Sequence, residues 1–244
     1  MTPTESYAAA TLSGATSVSP AEVPDFWFEL PPGFTEFDLA EEPVSRALRM
    51  TEAIDAMFAT ATATAEQKLS LIASGEYILQ SMITAGAEHV SSCLLRMPDG
   101  ELSQGTLCVL VERPETGPQV QDRKGAARRT AAQWHSLYPD AEVGMVMLPY
   151  GIAALCIREQ QLCVPGALFG QESAISTTVK QAQFCIPTKI GPGSVLFVFM
   201  TEDTRHWAEY LEVLSGIMKS VSQEEPGTEQ LSGAGNPDAE GTER

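Results

Sequence analysis

From Val44 onward, apolar residues recur at Ala47, Leu48, Ile54, Met57 and Phe58, close to the helical period, and Pro43 stands where a first helical turn accepts proline. The spacing predicts a helix that opens at Pro43. A second helix is predicted from Thr64, because "TAEQ" matches a capping box with Gln67 at its far end. Leu69, Ile72, Leu79, Met82 and Ile83 line it, and Gly86 ends it. Gly75 weakens its middle by about 1 kcal/mol relative to alanine.

The period then changes. "HVSSCLLRM" (89–97), the turn "PDGE" and "LSQGTLCVLVE" (102–112) predict a β-hairpin. A helix follows from Asp122 to Tyr138, with Ala127, Ala131, Trp134 and Tyr138 on one face and Pro139 as its stop. "AEVGMVMLP", "GIAALCIRE", "ISTTVKQAQFCIPTK" and "SVLFVFMTE" predict four more strands, the last two joined by the turn "IGPG" (190–193). A closing helix over Thr204 to Val221 carries Trp207, Tyr210, Leu211, Leu214, Ile217, Met218 and Val221 at helical spacing. Near the start, "DFWFELPPGF" (25–34) alternates Phe26, Phe28 and Leu30 with Trp27 and Glu29. This predicts a first strand with Phe26 and Phe28 toward the core, and Trp27 on the other side, expected under a helix. Exposure of Trp27 as a partner contact is the alternative.

Short connections between consecutive strands argue for an α+β fold: a mainly antiparallel sheet of six to seven strands, with helices covering its faces. Residues 24–222 are expected to form this single domain. The flanks, residues 1–23 and 223–244, are rich in small and polar residues without periodicity and are expected to be disordered.

Charge excludes some function classes. The formal charge is −17, of which the two flanks hold −2 and −5, so the middle remains acidic. Nucleic acid and anionic membrane surfaces should repel such a chain. No stretch reaches the roughly 20 apolar residues of a membrane span, and the leading residues show neither basic nor apolar signal regions, so a cytoplasmic location without membrane insertion is expected. Five cysteines, an odd number and mostly in apolar runs, fit reduced buried thiols.

Little chemistry is legible. His89, His135 and His206 are scattered without metal-ligand spacing, and His135 and His206 read as partly exposed helix residues. Cys156 and Cys163 flank "IREQQL" and read as small apolar residues on adjacent strands of a hairpin. No nucleophile elbow or catalytic cysteine signature occurs. "GPGS" (191–194) lacks the lysine of a phosphate loop and reads as a turn. No metal or cofactor is expected. Two surface features remain. "DRKGAARR" (122–129) concentrates Arg123, Lys124, Arg128 and Arg129, while residues 35 to 66 hold seven acidic residues, an asymmetry suited to steering an acidic partner or a second copy of the chain. The simpler reading is a solvated helix end. "CVPGALFGQES" (163–173) places Leu168 and Phe169 in a glycine-bounded loop, either as a partner contact or tucked onto the core.

The opening "W-x-E-L-P-x-G-F", hairpins around a mid-chain helix, and a final apolar strand leading through "TEDTRHW" into a helix ending "KSV" resemble the PsbP-like α/β/α sandwich. Actinobacterial LpqN-type proteins are examples. The resemblance spans residues 25 to 222 and transfers no catalytic residue. Those relatives are lipoproteins with a lipobox cysteine, whereas the first cysteine here is Cys93. The resemblance implies a binding or assembly-factor role. The expected function is therefore a cytoplasmic, non-enzymatic protein-binding domain, an accessory or chaperone-like factor for a secretion or assembly system. The alternative is a small-ligand-binding domain or hydrolase with a cleft between helices and sheet; a self-assembling homo-oligomer comes third.

Overall fold

Seven strands pair into one antiparallel sheet in the computed structural model, which describes residues 26–57, 64–112, 122–188 and 193–222. They are β1 (Phe34–Glu36), β2 (Ala87–Arg96), β3 (Leu102–Glu112), β4 (Glu142–Met147), β5 (Ile152–Val164), β6 (Ile175–Pro187) and β7 (Ser194–Thr201). Their spatial order is β1-β2-β3-β7-β6-β5-β4, so the last strand inserts between two earlier sets and closes the sheet. This explains why β7, "SVLFVFMT", is apolar almost throughout: it is covered on both faces.

Alternation along β7 separates two cores. Val195, Phe197 and Phe199 face Tyr210, Leu214, Ile217 and Met218 of helix α4 (Trp207–Ser220). Leu196, Val198 and Met200 face the other way, toward Leu79 and Met82 of α2 (Ala65–Thr84) and Met50 of α1 (Pro43–Met57). Helix α3 (Arg123–Leu137) lies against β4, β5 and β6. It occupies the face away from α4, since Thr130 meets Cys185 while Phe184 and Ile186 point into the α4 core. Helices thus cover both faces, and the fold is an α+β sandwich. One glycine is sterically required at its centre: a β-carbon on Gly105 would fall 2.3 Å from the Phe199 ring.

The opening stretch differs from expectation. Residues 26–31 form no strand; a single antiparallel bridge joins Trp27 to Ser222, with reciprocal N–H to carbonyl bonds of 2.9 Å. The strand begins only after the Pro31-Pro32-Gly33 turn, as β1. The cause is the neighbour: the segment runs beside the end of α4, which offers one extended residue and no ladder, and the prolines remove two donors. Phe26 and Phe28 do face the core, with ring centroids 5.4 Å from Tyr150 and 5.2 Å from Phe197. Trp27 is 37% exposed and not under a helix.

Cys156 and Cys163 are not on adjacent strands. Both lie on β5, on opposite faces and roughly 23 Å apart along an extended chain, and only Cys156 is buried. Cys93 and Cys108 are also buried, and desolvation pushes their thiols up to about 11 and about 12. Residues 1–23 and 223–244, the turn residues 190–192 and Phe58 lie outside the described residues. Among the described residues, no helix is long and apolar enough to cross a membrane.

Candidate functional site

The Asp122 carboxylate starts α3 by accepting the Gly125 N–H at 3.0 Å. Small residues then let the helix settle on the sheet through the buried Ala126 and Ala127. Of the four basic residues predicted as a partner site, three share the exposed side: Lys124, Arg128 and Arg129. Arg123 does not join them. Its guanidinium donates to the carbonyls of Pro187 at 3.1 Å and Tyr150 at 2.9 Å and lies 4.7 Å over the Tyr150 ring. Gly151, at φ +146°, leaves room for it: a β-carbon there would sit 2.3 Å from Arg123 Nη2. Arg123 pins α3 to the sheet ends, a structural role that charge counting cannot separate from a surface one.

Beside α3 runs the sheet's outer strand. Among the described residues, β4 pairs only with β5. Proteins usually blunt such an edge with proline, lysine, a bulge or an inward charge. Val143 to Met147 carry none of these, and Met145 and Met147 are 43% and 78% exposed. The opposite edge, β1, is only three residues long.

The other predicted contacts lie elsewhere. Leu168 and Phe169 sit half-buried in a 3₁₀ turn (Gly166–Phe169) against α2. Trp27 stands at the end of α4. Neither belongs to the α3–β4 surface as a set with the basic residues.

A cleft of about 480 Å³ opens where α3 turns into β4. β4 pairs with β5 only as far as Ile157, and β5 continues to Val164, so a notch is left at the sheet edge. Residues from both sheet faces can therefore line one cleft. Arg158 lies 4.1 Å over the Tyr138 ring. Lys180 stands directly across the ladder from Glu159, yet its Nζ lies 5.2 Å over the Trp207 ring instead of pairing.

A third cluster was not foreseen. His206 is buried at the head of α4, not partly exposed: Nδ1 meets Asp203 at 2.7 Å and Nε2 meets Asp99 at 2.8 Å. Both nitrogens must donate, so the ring is held as the imidazolium. Hydrogen bonding to Asp203 and then to Asp99 raises the His206 pKa above its ordinary 6.5. Burial pushes the Asp203 carboxyl up, but the hydrogen bonds from His206 and Ser103 outweigh it and bring it down to about 2. The Glu101 N–H and then His206 lower Asp99 below its ordinary 3.8. With both nitrogens engaged the ring has no free base, and the carboxylates flank opposite ring edges. Among the described residues no group is arranged to hold a metal ion. The cluster is a clamp that ties the β2–β3 turn to α4.

The clamp makes stability depend on pH. A histidine with a raised folded-state pKa stabilises fully below its unfolded value of 6.5 and ceases to do so as pH rises through the folded value. Lowered carboxylates act at the other end, stabilising above 3.8 and losing that as pH falls. His206→Gln is therefore expected to be less stable than the native chain by a margin greatest between about pH 4 and 6.5 and shrinking above it. Urea unfolding of both chains from acid to alkaline pH measures this. A margin unchanged across the alkaline limb would reduce His206 to a packing role.

Neither a family model nor a curated protein matches the chain. Among solved structures it is similar to a crystal structure from Bacteroides thetaiotaomicron VPI-5482, with 10% identity and a TM-score of 0.34, over 83% of this chain and 46% of that one. The chain thus spans less than half the length of that neighbour.

Proposed function

We propose that the chain is a non-enzymatic protein-binding domain that takes an extended, acidic segment of a partner along β4, beside the cationic side of α3. The observation that carries this reading is the β4 edge, which is unpaired among the described residues. An added strand satisfies its open backbone groups, and alternate side chains of that strand meet Met145 and Met147. Lys124, Arg128 and Arg129, on the helix packed against β4, supply attraction for acidic residues in a chain that is otherwise strongly acidic.

The resemblance to PsbP-like sandwiches supports an accessory or chaperone-like role in secretion or assembly. The five free cysteines, four of them buried, support a cytoplasmic setting.

Two variants test the reading. Met145→Lys with Met147→Lys puts charge on the edge, and Lys124→Glu with Arg128→Glu and Arg129→Glu reverses the helix. A synthetic peptide alternating glutamate and valine is expected to bind the native chain and to weaken with salt. Each variant should bind it at least about tenfold less well, a change of about 1.4 kcal/mol. Equal binding by native and both variants, with native-like circular dichroism, would remove β4 and α3 from the function.

A further inference from the structure

Arg158 Nε is the one buried side-chain polar atom among the described residues that lacks a hydrogen-bond partner. Such an atom in a native fold calls for an explanation. The guanidinium carbon lies 4.1 Å from the Tyr138 ring centroid, and Nε is closed off from solvent, so the remaining nitrogens are the ones that can meet a ligand in the notch cleft that Arg158 lines. Neither Arg158 nor Lys180 is ion-paired with a described carboxylate, although the chain has 32 acidic against 15 basic residues. Lys180 even faces Glu159 across the ladder without pairing. Two cations placed on aromatic rings in one cleft, and not ion-paired with the carboxylates that share it, leave a guanidinium open to a carboxylate brought from outside.

The rest of the cleft narrows the ligand. Asp140, Glu142 and Glu159 also line it, which disfavours a multiply charged phosphate and offers acceptors to an ammonium group. Leu137 and Ile157 add an apolar wall. The volume is within the range of small-molecule sites, roughly 300–1,000 Å³. We infer that the notch beside the start of β4 binds a free α-amino acid with an apolar side chain: Arg158 forks its carboxylate, the acidic residues take its ammonium, and Leu137 and Ile157 pack its side chain. This site is separate from the β4 edge and does not depend on the partner-binding reading.

A thermal-shift screen of the twenty amino acids on the full chain, followed by calorimetry, tests it. Leucine is the probe, with 4-methylpentanoate lacking the amine and 3-methylbutylamine lacking the carboxylate. Leucine is expected to bind, each analogue at least about tenfold more weakly. Arg158→Lys keeps a cation over Tyr138 but loses the fork, and should weaken leucine at least about tenfold. Glu142→Gln should weaken leucine while leaving 4-methylpentanoate unchanged. No shift from any amino acid would overturn the proposal, as would equal binding of 4-methylpentanoate and leucine, or leucine binding untouched by both substitutions.

Discussion

Phe197→Ala is expected to lower the free energy of unfolding by about 4 kcal/mol, because truncating a buried phenylalanine removes its transfer energy and leaves a cavity. Phe197 is 1% exposed in the strand that enters the middle of the sheet. Its ring meets Phe28 edge-on at 5.2 Å, and it belongs to the cluster that α4 closes. Loss at this point is felt by both halves of the sheet, since β7 stands between β3 and β6 and pairs with both. Phe197→Leu should cost about 1.5 kcal/mol, as most of the volume remains. Urea unfolding followed by circular dichroism gives both values. A cost for the alanine below about 1 kcal/mol would mean that the opening segment and α4 are not cooperatively packed on this face.

What was legible in the sequence depended on whether the cause was local. Helices α1 to α4 and strands β2 to β7 follow from periodicity and breakers that act within a few residues, such as Pro139 after α3. The spatial order β1-β2-β3-β7-β6-β5-β4 does not, because periodicity marks a face and not a neighbour. The opening stretch shows the difference: "FWFEL" has a strand's alternation, but the element next to it ends as a helix, so alternation buried Phe26 and Phe28 without producing a ladder.

Among functional candidates the same division holds. Arg128 and Arg129 are exposed, as helical spacing from the Ala127 face implies, and Lys124 is exposed with them. Arg123, four residues before Ala127, shares the buried face, but the carbonyls that take it belong to Tyr150 and Pro187, far along the chain. His206 shows a partial trace, since Asp203 stands three residues before it in "DTRH". Asp99 arrives from the turn of an early hairpin, and only the fold brings it near. The β4 edge was visible as a strand, but its being an edge was not.

Arg46 sets the second large effect. It is 2% exposed, and its guanidinium forks onto Glu76 of α2, with Nε 3.2 Å from Oε2 and Nη2 2.5 Å from Oε1, while Nη1 donates to the Glu41 carbonyl. A β-carbon at Gly75 would meet Met50 Sδ at 3.7 Å, an ordinary contact, so alanine would fit between the two helices there. Hydrogen bonding to Glu76 raises the Arg46 pKa, so the charge is present at any accessible pH. Glu76→Ala would leave that charge buried without its carboxylate and should cost about 3 kcal/mol, with Arg46→Ala costing a similar amount. Replacing both with methionine should recover most of the loss, because apolar packing often substitutes for a buried pair at little net cost. Native-state hydrogen exchange would place the change in α1 and α2 with β7 protected, or across the whole sheet. If Glu76→Ala costs less than about 0.5 kcal/mol and the double variant is no better than either single one, the pair acts as a solvated surface bridge and does not hold α1 to α2.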